Sequence, residues 1–288
     1  MTIDKDNCLW FTKGACRICE KTCERDAIDF EQEDQIIKLE NIVSIIVAVG
    51  YNLIEDIDND ILKNYGYGKY RNVVTALEFE RMLSASGPQE GHVKRISDSK
   101  EPKRIAFLQC IGSRADKAGK YCSAICCMYS TKEAMIAYEH NNELESYVFY
   151  IDLRAGGKGF QSFLQRGEAE YNIKYIKNKI DQIKIDENEN PIIRYEDLDT
   201  SDIKQLKVDL VVLATCIVPP EGIEKLAEVL GIELDEYNFV KTTPYVPIET
   251  NREGIFTCGC VHEPMDIPRS VAEGSGAAAR AAEIIRGG

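Results

Sequence analysis

The chain has 288 residues, 44 % of them apolar, enough for two packed domains or one large one and too many for a disordered polymer. Thirty-five basic against 48 acidic residues leave a formal charge of −13, which argues against a duplex-binding surface, since that needs clustered Lys and Arg. No 18-residue apolar run occurs, and the opening Met-Thr-Ile-Asp-Lys-Asp is no signal-peptide core, so no membrane span, no secretion and a cytoplasmic setting are expected.

The first thirty residues form a cysteine-rich head, too short for a core of its own. A strand pattern follows at Gln35 to Lys38 and again at Val43 to Gly50, the second nearly unbroken in apolar residues and read as buried on both faces. After a turn-rich stretch (54–74), a helix is predicted near Ala76–Ser84, with Leu77, Phe79, Met82 and Leu83 on one side. The stretch SASGPQEGHVKRISDSKEPK, residues 84–103, has linker composition and marks a predicted domain boundary. Beyond it come a strand at Ile105–Leu108, a helix from about Tyr121 to His140, a strand at Tyr147–Ile151 and a helix near Gly159–Tyr171. Three β-like stretches follow: Ile173–Ile176, Ile180–Ile185 and Ile192–Tyr195. A buried strand at Val208–Thr215, a helix at Gly222–Leu230, a strand at Gly254–Thr257 and a small-residue helix from about Pro268 to Arg286 close the chain. Strand, helix and strand at this spacing predict an α/β fold with a doubly wound sheet.

Eleven cysteines are many for a chain expected in a reducing compartment, and clustering there points to metal, iron–sulfur or redox chemistry. The three histidines, His92, His140 and His262, are too few and too distant from the first group for Cys/His zinc sites. Cys8, Cys16, Cys19 and Cys23 read C-x7-C-x2-C-x3-C, a spacing that wraps a cuboidal cluster, with a zinc tetrahedron as the alternative. No proline follows Cys23, and in two-cluster ferredoxins the fourth cysteine of a run serves the other cluster. Cys110, Cys122, Cys126 and Cys127 read C-x11-C-x3-C-C. Cys110 stands in the turn where a dinucleotide-binding domain carries its glycine fingerprint, so no NAD(P)H binding is expected of residues 104–215. Cys122 and Cys126 are read as sharing a helix face at i, i+4, near an N-terminus that favours thiolates. A [4Fe–4S] site fits this run; a redox-active disulfide of Cys126 and Cys127, or plain helix packing, are the alternatives. Cys216 reads as a small buried apolar residue. The RAGGKG stretch at 154–159 lacks the Gly-Lys-Ser/Thr ending of a phosphate loop.

CLWFTKGACRICEKTC, YGYGKYRNVVTALEFERMLSASGP, FLQCIGSRADKAGKYCSAICCMYSTKEA, FYIDLRAGGKGFQSFL and GIFTCGCVHEPMDIPRSVAEGSGAAARAA together resemble the A-subunit family of heterodisulfide reductases over nearly the whole chain. The resemblance implies a thioredoxin-reductase-like flavoprotein core with two dinucleotide-binding domains, incomplete at its N-terminus, behind a ferredoxin-like head. Its domains would be residues 1–30 (ferredoxin-like), 31–102 (part of the FAD domain plus linker), 103–206 (an NAD(P)-binding-like domain carrying a [4Fe–4S] site) and 207–288 (the C-terminal part of the FAD domain). It implies two clusters, one on Cys8, Cys16, Cys19 and Cys23 and one on Cys110, Cys122, Cys126 and Cys127. It also implies FAD held at Gly50, Thr215, Gly259, Cys260, Pro268 and Ser270. Cys260 stands where the wider superfamily has an Asp for the ribityl chain, and the last helix would aim N–H groups at the flavin pyrimidine.

By the same resemblance the chain is one component of an oxidoreductase and works with partners, passing electrons between flavin and clusters. Flavin-based bifurcation to ferredoxin and the CoM–CoB heterodisulfide, in methanogenesis, is its implied setting. Implied partners are the other subunits of such a complex, a chain supplying the N-terminal FAD half, and a ferredoxin or a hydrogenase- or formate-dehydrogenase-type donor. A flavin-free iron–sulfur module and a sulfur- or quinone-linked relative are the competing expectations.

Overall fold

The structure, a computed structural model, describes residues 3–33, 36–56, 59–115, 119–180, 182–198 and 200–287; Gln35, the first residue of the strand expected at 35–38, lies outside them. The chain divides into two compact units, Met1–Ile42 and Val43–Gly288.

The first unit holds two short helices, α1 (Leu9–Lys13) and α2 (Ile18–Lys21). Gly14, at φ 64°, ends α1 in the left-handed conformation that glycine adopts without strain. Phe30 is buried between Trp10 and Phe11, with ring centroids 5.9 and 5.7 Å away. The Arg17 guanidinium lies 4.5 Å over the Trp10 ring. The head therefore has a minimal aromatic core, which its length alone did not suggest.

The second unit runs β1 (Ile45–Val47), β2 (Asn52–Leu53), α3 (Asp60–Asn64), β3 (Val73–Thr75), α4 (Ala76–Leu83), β4 (Arg104–Ile111), α5 (Cys126–His140), β5 (Glu145–Tyr150), α6 (Phe160–Glu170) and β6 (Ile173–Lys177). It continues through β7 (Ile183–Ile185), β8 (Pro191–Glu196), β9 (Ile203–Lys207), β10 (Leu210–Thr215), β11 (Ile217–Val218), α7 (Ile223–Leu230), β12 (Ile255–Thr257) and α8 (Ile267–Ile285). The central sheet is parallel throughout, in the order β3-β10-β4-β5-β6. Its strands come from both sides of the 103–206 segment. Period-2 alternation sorts its side chains into two layers. Ile105, Phe107, Leu210 and Val212 pack against α4 and α5, with Phe79 edge-on to Phe107. Ala106, Leu108, Val211 and Leu213 face the opposite layer, which includes Ile183 and Ile193 of the β7-β8-β9 meander.

Four expectations change. The run at 43–50 yields only the three-residue β1, with Val47 buried and Ile45 and Ile46 exposed, because β1 is paired with β12 alone among the described residues. In α4, Leu77 is exposed and Ala76 takes its place on the buried face; a capping box between Thr75 and Glu78 fixes the start of the helix. Residues 84–103, expected to be linker-like, are tied into the second unit: buried Arg95 donates to Asn190 Oδ1 at 2.7 Å and to the Asn188 carbonyl at 3.0 Å and clasps this segment to the meander. The helix expected from Tyr121 begins at Cys126, because Ala124 turns left-handed at φ 61° and breaks the preceding turn.

Candidate functional site

The site begins where β4 ends. Cys110 is buried at φ 62°, a left-handed conformation that is strained for a residue with a Cβ. Two residues on, Gly112 has φ 82°, and a Cβ there would stand 2.6 Å from Ile54 Cδ1, so this turn demands glycine. The chain then returns to α5, whose first residues, Cys126 and Cys127, are buried beside Ala214 of β10.

Three thiols are linked. A hydrogen bond with Cys126 pulls the Cys110 thiol well below its ordinary value, helped by the charge of Arg114. The hydrogen bond with Cys126 likewise lowers Cys127, whose sulfur also takes the Arg154 N–H at 3.5 Å. Cys126 is pushed up by those same two bonds and by burial. Low-pKa thiols are the ones that ligate metals and clusters. Arg114 and Asp152 bind across the mouth of this group.

Cys122 is not on the helix, and the i, i+4 face expected with Cys126 does not form. Its sulfur accepts the Ala124 N–H at 3.3 Å in the turn before α5. Among the described residues, no three His, Cys, Asp or Glu side chains converge on a single metal ion. The donor set itself fits a cluster: three linked thiols, Cys110, Cys126 and Cys127, lie at the end of β4 and the start of α5.

In the first unit, Cys16 turns left-handed at φ 82°, and the backbone N–H groups of Ile18 and Arg17 hold its thiol below the usual value. Cys23 accepts the Ala27 N–H at 3.4 Å, Cys8 caps α1, and Cys19 is exposed.

The residues expected at a flavin lie after β1 (Gly50), at the end of β10 (Thr215), after β12 (Gly259 and Cys260) and in the first turn of α8 (Pro268 and Ser270). Thr215 is buried and its hydroxyl has no partner, as suits a group that completes its bonding on a ligand. Gly50 is left-handed with open space where a Cβ would be. Gly259, at φ 75°, faces Ser270, whose Oγ donates to the Asp266 carbonyl at 2.9 Å; the Cys260 thiol donates to the Met265 carbonyl at 3.4 Å. The N-terminus of α8 offers fewer donors than expected. Asp266 caps it by accepting the Arg269 N–H at 2.9 Å, and Pro268 has no N–H to give.

One contact in this loop is not foreshadowed by any motif in the sequence. One carboxylate oxygen of Glu273, on α8, meets His262 Nε2 at 2.7 Å and accepts the Gly259 N–H at 3.0 Å, pinning the loop after β12 to the helix. A lone glutamate amid the small residues of VAEGSGAAA was the available signal. One cleft is lined by Cys122 and Tyr121 together with His262, Arg269 and Glu273; Gly259, Cys260, Pro268 and Ser270 are not among its lining residues.

No protein-family model matches the chain. It is 40 % identical over 284 residues to the A subunit of H(2):CoB-CoM heterodisulfide,ferredoxin reductase from Methanothermobacter thermautotrophicus, covering 98 % of this chain and 42 % of that protein. It is 41 % identical over 281 residues to the iron-sulfur A subunit of CoB--CoM heterodisulfide reductase from Methanocaldococcus jannaschii, covering 96 % and 41 %. With the A subunit of Ferredoxin:CoB-CoM heterodisulfide reductase from Methanosarcina acetivorans it shares 33 % over 313 residues, covering 98 % and 38 %. The chain thus spans about two fifths of the length of these relatives. Among solved structures it is similar to thioredoxin reductase of T. acidophilum (TM-score 0.51, 13 % identity, 83 % of this chain and 65 % of that one) and of Lactococcus lactis (0.51, 20 %, 84 % and 66 %). The fold is that of thioredoxin-reductase-like flavoproteins with two dinucleotide-binding domains.

Proposed function

Because this stretch of chain belongs to the A-subunit family of heterodisulfide reductases, we propose that it carries electrons between a flavin and iron–sulfur clusters inside a heterodisulfide-reductase-type complex. The observation that carries the reading is the linked thiol group at the end of β4: Cys110, Cys126 and Cys127 are buried together, and the Arg154 N–H donates to the Cys127 sulfur at 3.5 Å. Bound to this chain, FAD and a [4Fe–4S] cluster would supply the change from paired to single electrons.

This chain's own residues hold and shield. Cys110, Cys122, Cys126 and Cys127 are the ligands of one cluster, with Arg114 and Asp152 closing its mouth against water; Cys8, Cys16, Cys19 and Cys23 are the ligands of a second. Thr215, Gly50, Gly259, Cys260, Pro268 and Ser270 hold the flavin, and Glu273 keeps the Gly259 peptide in place. Residues 103–206 serve as the cluster-bearing, NAD(P)-domain-like part, between the FAD-domain pieces at 31–102 and 207–288, with the head at 1–30. The side chains of Cys126 and Cys127 stand at the helix start where a pyrophosphate needs bare N–H groups, so residues 104–215 do not take NAD(P)H. Saturable NADPH binding at physiological concentration overturns that point.

The exposed faces of Ile45 and Ile46 on β1 support a partner segment that completes the FAD half, from another chain or a further part of the same protein. The remaining components, a ferredoxin or a hydrogenase- or formate-dehydrogenase-type donor, and bifurcation to ferredoxin and the CoM–CoB heterodisulfide complete the proposal. A cytoplasmic setting belongs to it too; no helix among the described residues is long and apolar enough to cross a membrane. The same bare β1 supports a second reading, an iron–sulfur module that works without flavin.

The test is anaerobic purification followed by iron, acid-labile sulfide and visible spectra for wild type and Cys126→Ala. A brown protein that loses one cluster's worth of iron in the variant supports the reading, and a colourless, iron-free wild type overturns it. Flavin bands remaining after the clusters are bleached decide between the two readings.

A further inference from the structure

We propose that a basic cleft at the carboxyl ends of β4, β5 and β6 is the docking surface for an acidic one-electron carrier protein. The inference deepens the electron-transfer reading above: it rests on that reading for the route of the electron, and on the cleft itself for the docking.

The cleft follows from the order of the sheet. β4, β5 and β6 are parallel neighbours, so the loops that leave their carboxyl ends open on one edge. Each of those loops brings a cation: Arg114 after β4, Arg154 after β5 and Lys179 after β6. The Arg114 N–H donates to the Tyr121 carbonyl at 3.0 Å, which folds Lys120, Tyr121 and Cys122 back to the same place. Arg114, Lys120, Arg154 and Lys179 line, with Tyr121 and Cys122, an open cleft of about 700 Å³. No carboxylate is among its described lining residues. Asp152 pairs with two of the four cations, Arg114 at 2.7 Å and Arg154 at 3.3 Å, and one carboxylate shared between two guanidiniums leaves positive charge in surplus. On a chain of formal charge −13 this is a local reversal of sign, the arrangement that steers a partner of the opposite charge.

Three features fit a protein partner. Lys120, Arg154 and Lys179 are exposed, so they form a charged rim and not an enclosed small-anion site. Tyr121 stands edge-on to Tyr237 and Phe239, with ring centroids 4.9 and 5.3 Å away, a rigid aromatic of the kind enriched in protein interfaces. Cys122 is only half-buried, whereas Cys110, Cys126 and Cys127 are buried; among the four proposed ligands it is the one that a docked partner can approach. Electron carriers meet their partners through small, charge-guided contacts. The step makes and breaks no bond: one electron leaves the reduced cluster and reduces the oxidised iron–sulfur centre of the carrier.

The test uses the reconstituted chain with a small acidic [2Fe–2S] ferredoxin as the probe. Binding is read by titration calorimetry at low ionic strength, and electron transfer by stopped-flow absorbance. The variants are Lys179→Glu, Lys120→Glu and the two together. Lys103→Glu is the control, since it makes the same change of charge at the amino end of β4, on the opposite edge of the sheet. Each reversal in the cleft is expected to weaken binding about fivefold and to slow electron transfer alike. Added salt is expected to weaken the wild type and to change the double variant little, and Lys103→Glu to behave as wild type. Unchanged binding in the double variant overturns the proposal, as does a wild type that does not bind the ferredoxin. A loss in Lys103→Glu equal to that in Lys179→Glu also overturns it, because net charge alone then sets the affinity. Tighter binding of inorganic pyrophosphate or of a single-stranded oligonucleotide, lost in the same variants, makes the cleft a phosphate site and overturns it too. An iron-free chain that still binds the ferredoxin through Lys120 and Lys179 is a different failure: the docking surface stands, and the cluster reading beneath the electron's route falls.

Discussion

Arg114 and Asp152 face each other as two parallel hydrogen bonds, 2.7 and 3.2 Å long, joining the loop after Cys110 to the loop after β5. The planar guanidinium matches both carboxylate oxygens, which an ammonium cannot do. Asp152 also offers its carbonyl to the Cys127 thiol at 3.9 Å, so the pair stiffens the cysteine group from outside. Both side chains are partly exposed, which limits the worth of the pair to about 1 kcal/mol. Arg114→Ala is therefore expected to lower the urea midpoint modestly and to slow cluster assembly, with Arg114→Lys recovering only part of each. Full recovery by lysine would show that charge alone matters.

Glu133 gives a pH dependence of stability. Burial pushes its carboxyl well above the usual range, the neighbouring Glu80 adds to the shift, and its Oε2 has no hydrogen-bond partner. A carboxyl unfolded near about 4.3 and raised in the fold binds more protons folded than unfolded. Stability therefore falls as pH rises from that value toward the folded pKa. Glu133→Gln removes this slope. The gain in melting temperature of the variant over wild type is expected to be larger at pH 8 than at pH 5; a gain that is flat or shrinking with pH contradicts the assignment.

Thr215→Val separates a ligand-binding hydroxyl from a structural one. An unpartnered buried hydroxyl costs about 1–3 kcal/mol, so valine is expected to raise the stability of the cofactor-free chain. In the flavin-loaded complex the same change is expected to weaken flavin retention by about fivefold, the worth of one hydrogen bond of about 1 kcal/mol. Opposite signs in the two measurements are the signature. Unchanged retention removes Thr215 from the flavin site.

Trp10, the only tryptophan in the chain, reports on the first unit by itself. Phe30→Ala opens the small aromatic core, and the Trp10 emission is expected to shift to longer wavelength as water reaches the indole. An unshifted spectrum means that the ring is held chiefly by the Arg17 guanidinium, which Arg17→Ala then reveals.

The parallel sheet was readable because β10 keeps its apolar run inside two neighbouring strands and two covering layers, the setting that an unbroken hydrophobic stretch describes. The run at 43–50 has the same composition and a different fate. Hydropathy reports what a strand tolerates and carries no record of which strands lie beside it. The helix start failed for another reason: alanine is among the best helix formers, so nothing in the sequence marks Ala124 as left-handed. That single residue moves Cys122 off the helix, which is why the spacing of the second cysteine run reads wrongly as a helical face. The Arg95 clasp was hidden because its partners, Asn188 and Asn190, lie about ninety positions further on.

The pairing of β1 with β12 joins residues 210 positions apart, Val47 to Thr257. On a ribosome, the second strand of that pair is synthesised 210 positions after the first. The central sheet, whose strands from β3 to β10 are all made earlier, can condense while β1 still waits without its mate. Closing so long a loop for three residues of ladder costs chain entropy and gains few bonds. β12, its loop and the alanine-rich α8 thus dock after the central sheet, and until they do β1 stands as an unpaired edge. Nascent chains of this protein are expected to need chaperone cover longest at that edge, well after the cysteine group at the end of β4 has formed.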